Sequence, residues 1–360
     1  EYGVAPHHLS KEVFIGIVKW LRETRVEAKH TGKKLEADAL KIVINRIYGA
    51  LNDAMDYLYD PECTYTVTIN LQLLLCGLIE AFELNNFDVL SANTDGLLVR
   101  LPLNRQDVFK HICNEWSAYS KLDLETEKFE KYCRSAVNDY IAVGYGFYDA
   151  LQEYNRCGVW IDSKGNTYTT RQAIEDKFIK FKGYFLQDPE YNKGFVYPVV
   201  KKALKEYFLY GVDITEFIRN YINTSRTAIY DYCFSQKVAG KYTTIYKTVR
   251  DGKPVYIKCQ KHNRFYICKS GGGAITKAIV PDSDNIAYGD DISGIVVEEE
   301  KSLVAGQRVA LFNDYEYKED YNLNYGFYIN EAYKILYGNG KTGKGERRGI
   351  NNNSNNLFGW

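Results

Sequence analysis

Two apolar runs, Phe87 to Ala92 and Leu97 to Leu101, flank the tetrapeptide Asn93-Thr94-Asp95-Gly96. Asp-Gly between two such runs is a strong short-range signal for a β-hairpin, because both residues tolerate the backbone angles of a tight reversal. Strands this apolar do not stand alone in water, so the hairpin is expected against other elements, with the Asp95 carboxylate at its tip. An Asp-Gly turn is usually only a turn. A hairpin tip can nevertheless hold a carboxylate rigidly where a metal ion must sit.

Upstream, Val13, Ile17 and Leu21 recur at helical spacing between Leu9 and about His30, with Arg22, Arg25 and Lys29 on another face. After the break Thr31 to Lys34, a second helical pattern runs from about Leu35 to Tyr57. Its apolar positions are Leu40, Val43, Ile44, Ile47 and Leu51, and its other face carries the row Lys41, Asn45, Tyr48 and Asn52. The two helices are expected to form an antiparallel hairpin. Arg25 and Lys29, one turn apart, could then face Lys41, which suits a triphosphate and equally a solvated, salt-bridged hairpin. Gly49 inside a helix costs about 1 kcal/mol relative to Ala unless something must approach closely. A third helix, about Ile69 to Asn85, carries the stripe Leu71, Leu74, Leu75, Leu78, Ile79 and Phe82, which reads as plain core.

The rest of the chain alternates in charge. Lys plus Arg equals Asp plus Glu at 46 each, and the zero sum conceals blocks. Residues 11–34 carry seven basic against three acidic side chains, 177–205 seven against two, and 237–269 nine against one, whereas 281–320 carry three against eleven. Three basic stretches, two of them interleaved with Tyr and Phe, suit a groove that binds a polyanion, and each alone also suits a solvated face. A helix is expected over about Asn104 to Ser120, then short β-like pieces through Tyr148 and loops past Gly158 and Gly165. Helices are expected near Tyr197 to Tyr210 and Ile214 to Phe234, and strands over Tyr242 to Ile279. The Gly- and Asn-rich end, 338–360, reads as a disordered tail. At 360 residues two or three compact units are expected. No run of 18 apolar residues occurs, so no membrane partner is expected. Eight Cys without a CxxC pair read as reduced core thiols of an intracellular protein.

The stretch Lys41-Ile42-Val43-Ile44-Asn45-Arg46-Ile47-Tyr48-Gly49 resembles the fingers motif of family B DNA polymerases: Lys, three residues, Asn, Ser, any residue, Tyr, Gly. Asn93-Thr94-Asp95-Gly96 resembles their palm hairpin, Asp-Thr-Asp-Ser. The order, the leucine-rich helix between the motifs and the preceding Arg25/Lys29 pair also fit. Asn138-Asp139-Tyr140 stands where the family has a basic Lys-Lys-Arg-Tyr-like element, and Lys182-Gly183 resembles the Lys-Gly that opens its thumb-proximal strand. Residues 198–221 and Asn263-Arg264-Phe265-Tyr266 are similar to thumb and C-terminal parts of bacteriophage members.

The resemblance implies an α+β right-hand fragment with helical-hairpin fingers, an antiparallel palm sheet and a mixed thumb and C-terminal part. In residues, that is 1–60 for the fingers, 61–150 for the palm and 151–280 for the thumb and C-terminal DNA-binding part, followed by an acidic segment, 281–337, and the tail. It implies template-directed DNA synthesis in phage replication, in the host cytoplasm, on primer-template DNA with dNTPs and two Mg²⁺ ions. Asp95 would be catalytic and ligate the metals; Arg25, Lys29 and Lys41 would hold the triphosphate, Asn45 would lie near the nucleotide and Tyr48 against the nascent base pair. Tyr140, Lys182, Gly183 and Arg264 would contact DNA.

Departures from the pattern are Asn93 for the first palm Asp, Arg46 for Ser, and Asn138-Asp139 for basic residues. The family's other catalytic Asp lies upstream of the fingers, and no such motif precedes Arg25, so this stretch is expected to start after it and to be inactive by itself. Two alternatives follow. One is a catalytically inactive nucleic-acid-binding relic. The other is an RNA-templated polymerase using Asp290 and Asp291 of Tyr288-Gly289-Asp290-Asp291, although the acidic surroundings favour a solvated loop. Cys259, His262 and Cys268 lack a fourth ligand at zinc-like spacing, and His7 and His8 read as ordinary loop residues.

Overall fold

A computed structural model describes residues 3–94, 96–136, 139–183 and 197–337. The chain divides into two compact units, Glu1–Thr126 and Glu127–Trp360. Asn138 and the expected disordered tail, 338–360, lie outside the described residues.

The first unit starts with the expected hairpin of helices, α1 (Lys11–His30) and α2 (Lys34–Ala50). Ser10 caps α1 by accepting from the Val13 amide. Helix α2 stops at Ala50 and does not continue to Tyr57. Asp53 and Asp56 accept hydrogen bonds from the Met55 and Leu58 amides, and such local side-chain turns compete with the helix. Helix α3 (Pro61–Leu84) begins well before Ile69, with Asp60 accepting from the Cys63 amide at 2.9 Å and Pro61 in the first turn.

The leucine stripe of α3 is core only at its C-terminal end. Leu78 and Phe82 are buried, while Leu71 is 42% exposed. By length and composition this helix is also apolar enough to cross a membrane, although Thr, Asn, Gln and Glu side chains interrupt its apolar positions.

The expected hairpin follows as β1 (Asp88–Asn93) and β2 (Gly96–Arg100), with Asn93 opposite Gly96 and Ala92 opposite Leu97. Helix α4 (Gln106–Ser120) closes the unit, and Trp116 Nε1 donates to the Leu74 carbonyl at 2.8 Å. Leu78, Phe82, Phe87, Ile112 and Cys113 form the core on which Val89, Leu97 and Val99 pack. Each such large side chain taken from water contributes roughly 1.5–3 kcal/mol.

The second unit is mixed helix and antiparallel sheet, so the whole chain is α+β. It opens with β3 (Phe129–Ala136), β4 (Asp139–Gly144) and α5 (Phe147–Cys157). The pair β5 (Trp160–Ile161) and β6 (Thr167–Tyr168), α6 (Arg171–Phe178) and β7 (Ile179–Lys182) come next. Helices α5 and α6 occupy stretches expected to be β-like or looped. Gly146 and Gly158, both left-handed, bracket α5, and Thr170 caps α6.

Helices α7 (Pro198–Tyr210), α8 (Ile214–Asn220) and α9 (Ile229–Tyr232) follow. The single helix expected over Ile214 to Phe234 is broken, because Ser225 is extended within a polar Asn-Thr-Ser run. The remaining elements are β8 (Cys233–Lys237), β9 (Thr243–Arg250), β10 (Lys253–Cys259), β11 (His262–Cys268), β12 (Ala274–Ile279), β13 (Glu298–Ser302), β14 (Arg308–Leu311) and α10 (Tyr325–Tyr337).

Among the described residues these strands form, besides the antiparallel β5–β6 pair, three larger antiparallel sheets, ordered β3-β4-β7, β14-β11-β8 and β10-β9-β12-β13. At the centre of the unit the buried Tyr328 hydroxyl accepts from the Ile267 amide at 2.8 Å and donates to the Tyr232 carbonyl at 2.9 Å. All eight cysteines are free thiols, and six are buried. Burial pushes Cys233 up to about 12.

Candidate nucleotide and nucleic-acid surfaces

On α1 the buried residues Leu21 and Ala28 mark the packing stripe, and Arg25 falls between them, half-buried. On α2 the stripe runs through the buried Ala37 and the half-buried Ile44, with the exposed Lys41 between them in sequence and offset to one side in angle. At about 100° per residue, Arg25 and Lys29 are offset from one stripe in the same rotational sense as Lys41 and Asn45 from the other. In an antiparallel pair the same sense of offset points to the same flank. The helices therefore bring the four side chains to one side of the hairpin.

Neighbouring cations are already spent. Lys19 pairs with Glu23, Arg22 with Asp123 at 3.4 Å and Lys33 with Glu36. Arg25, Lys29 and Lys41 reach no carboxylate among the described residues. The Arg25 Nε is shielded from water and has no acceptor there, and an N–H so left costs about 1–3 kcal/mol. Arg46, which departs from the motif, pairs with Asp56 at 2.8 Å and Asp53 at 3.7 Å. It fastens the turn that ends α2 and is not part of the cationic flank.

The Tyr48 hydroxyl lies 2.8 Å from Thr68 Oγ1 on α3. Thr68 already donates to the Thr64 carbonyl, so Tyr48 is the donor, and its ring remains 47% exposed. A methyl group built on Gly49 would meet nothing within 4 Å. The close approach inferred for that glycine is thus not made by any described residue.

Asp95 lies outside the described residues. Beside it Thr94 is left-handed, at φ 51°, and its hydroxyl donates to Asn93 Oδ1 at 3.0 Å. Among the described residues no group of three or more His, Cys, Asp or Glu side chains could hold a metal ion. The donor set for two Mg²⁺ ions is not assembled there, and no chemical step is derived through them.

A second surface is the polar face of the β3-β4-β7 sheet. Tyr140 stands opposite Arg134 on β3 and Lys182 on β7, and cross-strand partners share a face. Tyr132 stacks on Tyr140 with centroids 5.0 Å apart. Burial raises the Tyr132 hydroxyl above its usual range, with a smaller contribution from Tyr140. Lys180 pairs with Glu127 at 2.5 Å, whereas Lys182 is exposed and reaches no carboxylate among the described residues.

Gly183 is structural. At φ +112° its added Cβ would stand 2.6 Å from the Asp139 Cα. The sequence reading missed Tyr132, Arg134 and Lys180; their signal is two-residue alternation, Tyr132 with Arg134 and Lys180 with Lys182. Arg264 belongs to another sheet, on β11, where its guanidinium lies over the Tyr230 ring, 4.9 Å from the centroid. The structure brings Tyr140 and Lys182 together but does not bring Arg264 into that sheet face.

The chain matches no family model and no curated protein.

The Tyr288-Gly289-Asp290-Asp291 motif is a turn against β10. Asp290 Oδ2 accepts from the Ala287 amide, and Asp291 Oδ1 from both the amide and the hydroxyl of Ser293. His7, expected to be incidental, is not: its amide and its Nδ1 both bond Asp60 Oδ2, at 2.7 and 2.8 Å. His8 Nε2 bonds the Tyr57 carbonyl.

Proposed function

We propose that the chain forms the fingers, part of the palm, and the thumb of a DNA-directed DNA polymerase of the family B, bacteriophage type. What supports this is the flank of α1 and α2, where Arg25, Lys29 and Lys41 have no carboxylate partner among the described residues, in the same unit as the β1–β2 hairpin. A triphosphate concentrates several negative charges within a few ångströms and satisfies three converging cations better than water does. In this arrangement the half-buried Arg25 guanidinium donates to a phosphate oxygen. Lys29 and Lys41 contribute point charge, Asn45 borders the nucleotide, and the exposed ring of Tyr48 offers an apolar face to a base pair. Tyr140 and Lys182 contact the primer-template backbone. Asp95 would hold Mg²⁺, which would supply charge neutralisation and activation of the primer hydroxyl. Phage DNA replication in a host cytoplasm is the setting.

Binding of a fluorescent dNTP to the chain, followed by anisotropy, is the test. Arg25→Ala and Lys41→Ala are each expected to weaken binding about tenfold or more, since a charge-assisted hydrogen bond contributes roughly 1.5–3 kcal/mol. Unchanged binding in both variants removes the proposal. Primer extension by the complete polypeptide then compares Asp95→Ala with Asp291→Ala; only the first is expected to stop synthesis.

A second reading, a relic that binds nucleic acid without catalysis, rests on Asn93 in place of the first palm carboxylate. It keeps DNA binding and predicts no extension from the complete wild-type polypeptide.

A further inference from the structure

The acidic stretch 281–320 follows the basic stretch 237–269 closely in the chain and folds back onto it, through contacts between residues 53 to 58 positions apart. Strand β12 sits between β9 and β13, which carries Glu298-Glu299-Glu300. Glu299 accepts from Lys241 Nζ at 3.1 Å and the Tyr242 hydroxyl at 2.8 Å. Glu300 pairs with Lys247 at 2.6 Å. Beyond the strand, Lys258 Nζ donates to the carbonyls of Ser283 and Ile286 and lies under the Tyr288 ring. Of the nine cations in 237–269, Lys241, Lys247 and Lys258 are thus held by the acidic stretch itself.

Resting on the polymerase assignment, we propose that β13 is a built-in counter-anion: Glu299 and Glu300 occupy lysines of β9 and its approach that would otherwise neutralise duplex DNA phosphates, and so limit how tightly the second unit grips the backbone. Charge complementarity commits the face to a polyanion. Lys241 and Tyr242 are close together, and Lys277 Nζ lies 4.9 Å from the Tyr242 ring centroid, so a phosphate replacing the Glu299 carboxylate meets two ammonium groups and a hydroxyl. Carboxylates held in these positions weaken affinity without removing the site.

The test is duplex DNA binding by the full chain as a function of salt, using a fluorescein-labelled 30-mer. Wild type is compared with Glu299→Gln/Glu300→Gln and with Glu298→Gln, which removes a charge from the same strand but releases no cation, because Glu298 pairs with none among the described residues. Each lysine freed for a phosphate steepens the salt dependence by about 0.9 in log–log slope. The double variant should therefore lose about tenfold more affinity than wild type between 50 and 200 mM salt and bind more tightly at the lower end. Doubling the Glu298→Gln effect accounts for charge alone. The swap Lys241→Glu/Glu299→Lys, which rebuilds the pair, should bind as wild type does, and thermal melts of all variants exclude a folding effect. If wild type binds with a salt slope that the double variant shares, the counter-anion proposal is overturned and the polymerase assignment stands. If neither binds at low salt, both fall.

Discussion

The Asp60 carboxylate joins His7 to the start of α3: one oxygen accepts from the His7 amide and ring, the other from the Cys63 amide. Hydrogen bonding to Asp60 raises the His7 pKa above 6.5. The Cys63 and His7 amides hold Asp60 down at about 2. A raised His stabilises fully below its unfolded value and loses that contribution as pH rises through its folded value. A depressed Asp stabilises above its unfolded value, 3.8, and loses that contribution as pH falls through about 2. The clasp is therefore complete between about pH 4 and 6.5. His7→Asn, which keeps a donor near Nδ1 but cannot ionise, should flatten the fall in melting temperature between pH 6 and 8. A slope identical to wild type would show that the pair carries no linkage.

Tyr48 has two separable parts, a hydroxyl given to Thr68 and a ring left exposed. Tyr48→Phe removes one hydrogen bond and should cost about 0.5–1.5 kcal/mol in urea unfolding while leaving dNTP affinity unchanged. Tyr48→Ala removes the ring, and primer extension by the complete polypeptide should then fall more than stability does. Equal loss of extension in both variants would place the function in the hydroxyl.

Local chemistry was legible in the sequence, and long-range pairing was not. The β1–β2 hairpin was readable because its turn residues and apolar runs are contiguous. Helices α1 and α4 followed from periodicity. Helices α5 and α6 were missed because tertiary burial decides them: Phe147 and Ile174 are fully buried, and short helices gain most of their stability from packing. The cationic flank was readable from Arg25, Lys29 and Lys41, since helical geometry fixes relative direction. That Arg46 serves the turn, or that Glu299 meets Lys241, depends on pairings across loops and sheet strands that no spacing rule reveals.

Gly183→Ala tests the junction of β4 and β7. The new methyl would stand 2.6 Å from the Asp139 Cα, on backbone already in the left-handed region, so neither partner yields cheaply. A loss of roughly 2 kcal/mol or more is expected. Because Lys182 precedes this glycine and faces Tyr140, DNA affinity should drop alongside stability. A variant as stable as wild type would show that the strand end shifts freely.

Glu175 is the buried centre of a charged network in the second unit. Its carboxylate is 3% exposed and pairs with Arg171 at 2.9 Å, with Lys205, and with the Tyr210 hydroxyl at 2.5 Å. Burial alone would push its pKa up, but hydrogen bonds from Lys205, Tyr210 and Arg171 hold it below the usual range. Glu175→Ala leaves Lys205 without its carboxylate and Arg171 with Glu206 alone, beside a cavity. Breaking a buried pair from one side costs about 3–5 kcal/mol, and because Arg171 and Lys205 keep partial access to water the lower end applies, roughly 3 kcal/mol. Glu175→Gln keeps the volume and an acceptor oxygen and should cost less than Ala. The stabilisation from the ionised carboxylate is present above the unfolded glutamate pKa and lost as pH falls through the depressed folded value. The wild-type advantage over Glu175→Gln in urea midpoint should accordingly be greatest near neutral pH and shrink below pH 4. An advantage that stays constant down to pH 3 would mean that shape, and not charge, holds α6 to α7.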